Sequence, residues 1–213
     1  MRNGELLDRL VADLTPVRPR RAGRETAIVI AVGIAQLALF LLVRGPRPDI
    51  ALAVLQPSFW WKVLSFGLLT AAAAATAIET FSPQQSPRAG LRRAGLVAGA
   101  ALLIGVAIVA LDHNTMPLTI RLDWNDGVRC LGVMVTLSVP LLTALTVLMR
   151  HAAPTDPGGT ALSVGLAAAA WGAFVFMFAC PHDDAFFIVV WYGGGCATLA
   201  LLVRAVLARA VRW

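Results

Sequence analysis

Six runs of apolar residues constrain this chain more than anything else in it. They lie at about residues 27–43, 59–80, 94–111, 127–149, 160–179 and 187–207. A bilayer core is about 30 Å thick and a helix rises about 1.5 Å per residue, so roughly 20 apolar residues span it. Lipid offers backbone groups no hydrogen bonds, which leaves the helix as the structure for such runs. Charged residues make up only 14% of the chain, against about 25% in soluble domains. The expected fold class is therefore all-α: a polytopic membrane protein with six transmembrane helices.

Little is left over for anything else. Residues 1–26 form an N-terminal tail and residues 208–213 a C-terminal one, around a transmembrane domain over 27–207 with no room for a second globular domain. The first apolar run follows a long charged tail without a small-residue cleavage site, so it reads as a retained anchor. Thirteen of the eighteen lysines and arginines fall on the side of the two tails, including Arg2, Arg9, Arg18, Arg20, Arg21 and Arg24. The other side holds Arg44, Arg47, Lys62, Arg121 and Arg129, diluted by Asp49, Asp112, Asp123, Asp126, Asp183 and Asp184. The positive-inside rule then predicts both termini in the cytoplasm. A net charge of +6 would suggest nucleic acid in a soluble protein. Here most arginines flank spans, and no direct nucleic-acid contact is expected.

Within the first tail, Leu6, Leu7, Leu10, Val11 and Leu14 recur at helical spacing, with Glu5, Asp8, Arg9 and Asp13 on other faces. Asn3 is a candidate cap and Pro16 a stop. A helix of about ten residues is too short to stand alone in water, so it needs a lipid surface or a partner's groove.

One stretch carries most of the potential chemistry. Cys180-Pro181-His182-Asp183-Asp184 places a thiol, an imidazole and two carboxylates between two apolar runs. In the predicted topology Cys180 ends the fifth span and Cys130 begins the fourth, at one outer boundary; Cys196 lies roughly 14 Å deeper and reads as a packing residue beside Gly193, Gly194 and Gly195. The boundary pair has three readings: a reactive or ligand thiol pair acting as a sensor, a structural disulfide, or two unpaired buried thiols. Cys130, Cys180, His182, Asp183 and His113 together would make a soft or mixed metal site, although the spacing matches no zinc template. Asp183 and Asp184 equally suit the capping of the sixth helix. No cofactor is indicated beyond a transient heavy-metal ion at the thiolates. Trp60, Trp61 and Lys62 read as an interfacial belt with a snorkelling lysine, and Pro140 as a kink in the fourth span. There is no nucleotide-binding glycine loop, HExxH or GxSxG, and no mid-membrane carboxylate for an ion path, Glu79 lying near an edge. An enzyme is not expected.

The turn Cys180-Pro181-His182-Asp183-Asp184 with Trp191-Tyr192, the N-terminal Leu10-Val11-Ala12-Asp13-Leu14-Thr15-Pro16-Val17-Arg18, and Cys130 near the start of the fourth span resemble the NrsF-type membrane anti-sigma factors over nearly the whole chain. The family commonly has a serine where this chain has Asp184. The resemblance implies a regulator in the bacterial inner membrane that holds an extracytoplasmic-function sigma factor inactive. Its N-terminal segment, with Leu6, Leu7, Leu10, Val11 and Leu14, would bind the sigma factor. Cys130 and Cys180 would sense heavy-metal or oxidative stress from outside. Arginines 18 to 24 would meet acidic residues of that partner or anionic membrane lipid.

The rival class is a small membrane thiol oxidoreductase or a metal transporter. The first usually needs a Cys-x-x-Cys pair to lower one thiol pKa, and none is present. The second needs ligands along a path through the bilayer, which the first, third and fifth spans lack. A sigma-factor gene next to this one would discriminate between the classes.

Overall fold

Every element among the described residues, 21–111 and 117–210 of the computed structural model, is helical. Six helices are long and apolar enough to cross a membrane: α1 (Ala22–Arg44), α2 (Pro57–Thr80), α3 (Pro87–Leu111), α4 (Trp124–Arg150), α5 (Pro157–Phe176) and α6 (Ala185–Ala210). Most helices outrun their apolar stretches because helix formation does not stop at the bilayer edge: α3 begins at Pro87 and carries Arg88, Arg92 and Arg93 in its first turns, whereas α5 stops at Phe176, short of residue 179. Proline opens α2 and α5, where its fixed φ suits a first helical turn. The Asp156 carboxylate caps α5 by accepting from the Gly159 amide at 2.9 Å.

Two stretches between the apolar runs contain helix. Ile50–Ala53 forms one turn between α1 and α2, and Leu118–Leu122 another before α4. Asp123, at φ 26°, reverses the chain and caps α4, its carboxylate accepting from the Asp126 amide at 3.2 Å. Asp tolerates this left-handed conformation better than most residues. Pro140 lies inside α4 as expected. One turn earlier, the Leu137 carbonyl accepts from the Gln36 amide of α1 at 2.5 Å, and the Trp171 indole donates to the Gln36 carbonyl at 3.0 Å. This polar cross-brace satisfies an amide that would otherwise be exposed to lipid.

α5 is the axis of the bundle. In its apolar stretch 72% of residues are buried, against 11% in α1 and in α3. Gly159, Ala161, Ser163, Gly165, Ala167, Ala168, Ala169, Ala170, Gly172 and Ala173 are buried on it, and such small residues let helix backbones approach closely. α2, α4 and α6 pack around it. Beside a small cluster of Leu69, Ala94 and Ala170, the core has two large ones. One, built on Ala73, Ala77, Leu141, Leu145 and Val164, occupies the end near residues 81 and 152. The other holds Cys130, Met177, Cys180, Phe187, Ile188, Trp191 and Tyr192 at the opposite end.

α6 is not regular. Its first turn, Ala185–Phe187, passes into a π-helical stretch, Ile188–Gly193, before α-helix resumes at Gly194–Ala210. The wider turn buries Ile188, Trp191 and Tyr192 together. Single π turns of this kind concentrate at functional sites.

The N-terminal residues Leu6, Leu7, Leu10, Val11 and Leu14, and His113, lie outside the described residues.

At Gly172 a side chain would meet the Met134 carbonyl and Ser138, leaving it no space against the α4 backbone. Gly172→Val is expected to cost about 1–3 kcal/mol by overpacking, read as a lower Tm of the detergent-solubilised protein, whereas the same change at Gly132, which faces open space, should leave Tm nearly unchanged.

Candidate functional site

The Cys180 turn follows directly from the end of α5. Ala179 and Cys180 both donate their amides to the Phe176 carbonyl at 3.0 Å, closing the helix and turning the chain back toward α6. α4 brings Cys130 to the same place from its second turn. The two sulfurs stand 4.0 Å apart, both are free thiols, and they are 6% and 1% exposed. A disulfide has an S–S length near 2.05 Å, so the pair is in reach of a bond without being bonded. Cys196 is buried in the same cluster but makes no such contact; it packs, as expected.

The Cys180 thiol has an environment that favours its thiolate. The Cys130 thiol as donor outweighs burial and, with the His182 amide and the nearby Lys62 charge, holds Cys180 below the ordinary thiol range. The Tyr192 hydroxyl, fully buried, faces the same sulfur and also favours its thiolate. Its ring stacks on Phe176 with centroids 6.1 Å apart. A pair with one thiol pushed toward thiolate is suited to attack on an oxidant or to capture of a soft cation.

Around the thiols, every polar residue of the turn is engaged. Asp183 accepts from Lys62 Nζ at 2.7 Å and forms an ion pair with Arg47 at 2.8 Å. Lys62 also donates to the His182 carbonyl at 2.9 Å. Arg47 extends one guanidinium to Asp49 (2.7 and 2.5 Å), to the Cys180 carbonyl (3.1 Å) and to the Pro181 carbonyl (3.2 Å). Asp184 caps α6 by accepting from the Phe186 and Phe187 amides and takes a bidentate contact from Arg121 at 2.8 and 3.0 Å. His182 stacks on Phe187 at 4.5 Å and its Nε2 lies 3.0 Å from Asp126, one turn before Cys130. Trp191 donates its indole N–H to the Leu122 carbonyl at 2.7 Å and meets Trp124 edge-on.

These contacts correct the reading of Lys62 as a snorkelling interfacial lysine. Its side chain is 0% exposed and points into the protein. Helical phase decides this: Lys62 falls on the buried stripe of α2 with Phe59, Phe66, Leu69 and Ala73, at alternating spacings of three and four. That stripe was visible in the sequence, and an ammonium on it required a buried carboxylate opposite. Arg47, Arg121 and Asp126 carried no comparable signal, because their partners are distant in sequence.

Of the residues named as metal ligands, Cys130 and Cys180 are together, while His182 and Asp183 face Asp126 and the Lys62–Arg47 pair. Among the described residues no group of three or more His, Cys, Asp or Glu side chains is arranged to hold a metal ion. A soft cation would meet the two sulfurs first.

A family model described as negative regulator of sigma F matches residues 10–213. An anti-sigma-F factor NrsF of Caulobacter vibrioides is 32% identical over 95% of both chains. A probable anti-sigma-F factor NrsF of Azospira oryzae is 29% identical over 90% of both. No solved structure matches the chain.

Burial opposes the Asp183 charge, but its hydrogen bonds from Arg47 and Lys62 outweigh this and keep the carboxyl below its usual value of 3.8. A carboxyl held low in the folded state contributes stability above its unfolded pKa and loses it as pH falls through the folded value. The Tm should therefore decline on acidification below 3.8. Asp183→Asn should remove that acid-sensitive component and cost roughly 3–5 kcal/mol at neutral pH by leaving Lys62 buried without its anion. Combining it with Lys62→Met should recover much of the loss in the same thermal measurement.

Proposed function

Because the chain belongs to the NrsF family of negative regulators of sigma F, and so to a regulatory and not an enzymatic class, we propose that it is an inner-membrane anti-sigma factor whose outer-facing thiol pair controls release of its sigma factor. The partner is an extracytoplasmic-function sigma factor. It is bound by Leu6, Leu7, Leu10, Val11 and Leu14 of the N-terminal segment, which lies with the C terminus in the cytoplasm. The excess of arginine at the termini supports this orientation.

The observation that carries the sensor role is the 4.0 Å approach of the Cys130 and Cys180 sulfurs inside a cage of ion pairs. Oxidation joins the two sulfurs, with two protons and two electrons passing to the oxidant. A heavy-metal ion instead displaces the two thiol protons and is held by the sulfurs. Either event changes how α4 meets the end of α5. It releases the sigma factor only if the altered packing has lower affinity for it, since a ligand shifts an equilibrium only by its differential affinity for the two states.

Purified complex treated with diamide or Cd2+ should release the sigma factor, and Cys130→Ser with Cys180→Ser should bind it normally yet retain it under both treatments. Unchanged release by the double variant would remove the thiol pair from the mechanism. On the binding side, Leu7→Glu with Leu10→Glu should abolish co-purification of the sigma factor while the protein still inserts in the membrane; retained binding would move the contact surface to the loops on that side.

A further inference from the structure

We propose that Arg47 is a positioning residue that clamps the Cys180 turn to the end of α1, so that the state of the thiol pair is read at the helix leading to the N-terminal segment. This rests on the sensor reading above and supplies its route across the membrane.

The clamp is short and stiff. α1 ends at Arg44, and the Gly45 amide closes it by donating to the Leu41 carbonyl at 3.0 Å. Gly45, at φ 72°, makes a turn that a side chain would strain. Pro46 has a fixed φ, and Arg47 comes next. Only two residues, both conformationally restricted here, separate the helix from the clamp, so Arg47 cannot shift far without taking the end of α1 with it. The Arg47 backbone amide donates to the Phe178 carbonyl at 2.8 Å. Its guanidinium, on a residue 4% exposed, holds the carbonyls of Cys180 and Pro181 and the carboxylate of Asp183. These are the two peptide groups that directly follow Cys180, the first of them made by its own carbonyl.

α1 is otherwise loosely held. Val29 and Gly33 are its buried residues, and Gln36 supplies the cross-brace to α4 and α5. A helix with so little buried surface has little packing to overcome when one anchor moves. Closing the sulfurs from 4.0 Å to a bond of about 2.05 Å draws Cys180 toward α4. The carbonyl that Arg47 grips at 3.1 Å belongs to that same residue. The arginine is suited to the task because its fork reaches several acceptors at once, which a lysine ammonium on a flexible stem does not reproduce.

The test uses full-length protein in lipid nanodiscs without a sigma factor, so that it is independent of release. Hydrogen–deuterium exchange is followed over residues 38–49, and disulfide formation by mass of the linked Cys130–Cys180 peptides. In wild type, diamide should form the disulfide and speed exchange at the end of α1 by about tenfold, the scale of losing hydrogen bonds to a charged group. Arg47→Met should show the faster exchange before oxidation and no further change after it, while still forming the disulfide. Arg47→Lys should restore Tm toward wild type through Asp49 and Asp183 but leave the response to oxidation impaired, which a merely structural arginine would not do. Wild-type exchange in Arg47→Met, or an oxidised wild type whose α1 is unchanged, overturns the proposal. Should diamide form no disulfide, the sensor reading fails, and the unoxidised Arg47→Met comparison still decides the clamp. An α1 that responds normally here, in a protein that retains its sigma factor in the separate release experiment, supports the clamp and places the failure in the release step.

Discussion

The structure at the Cys180 end depends on neutralising charge where water is scarce. Lys62 is fully enclosed, Arg47 nearly so, and Asp183 stands between them. An ammonium or guanidinium held in such a place without an anion would be strongly unfavourable. Once Asp183 is required there, the turn that carries it is placed to within hydrogen-bonding tolerance, and Cys180, three residues away, is placed with it. The remaining polar groups follow the same rule: Asp184 meets Arg121 and the first amides of α6, and His182 meets Asp126. The two thiols, in contact with each other, form no ion pair among the described residues, which leaves them open to chemistry.

The two ends of the bundle are built differently. Near residues 81 and 152 the core is mainly alanine, leucine and valine around α5, with Ile78, Phe81 and Met149, packed through small residues. At the Cys180 end, large aromatic rings and the π-helical turn of α6 surround the sulfur pair. Apolar packing in a membrane supplies close contact without a hydrophobic driving force between helices, so the polar contacts at one end do much to specify how the helices are registered. A side chain at Gly127 would run into the Trp191 ring, so even the first turn of α4 is shaped by the residue that ties α6 to the Leu122 carbonyl.

A coupling between this end and the opposite one needs an element that touches the first and reaches the second. α1 is such an element, held at Arg47 and Gln36 and otherwise little buried. α5, by contrast, is enclosed on nearly all sides and suits the role of a fixed frame. Loose and rigid helices in one bundle are what a two-state device requires: one part to move and another to move against.

Apolar run length alone determined that the chain is a six-helix membrane protein, because a bilayer imposes a length and forbids unpaired backbone whatever the side chains are. The residues of the Cys180 turn were likewise legible, since a thiol, an imidazole and two carboxylates between apolar runs stand out by composition. Lys62 was half legible: its place on the buried stripe of α2 could be read, but the partner that makes burial tolerable, Asp183, is 121 residues away. Only the tertiary structure decided that Cys130 and Cys180 meet, that Arg47 closes on the Cys180 carbonyl, and that α6 opens with a π turn. Helix spacing reports which face a residue occupies on its own helix. Which face of another helix it meets depends on the packing of all six, and no local pattern in the sequence encodes that.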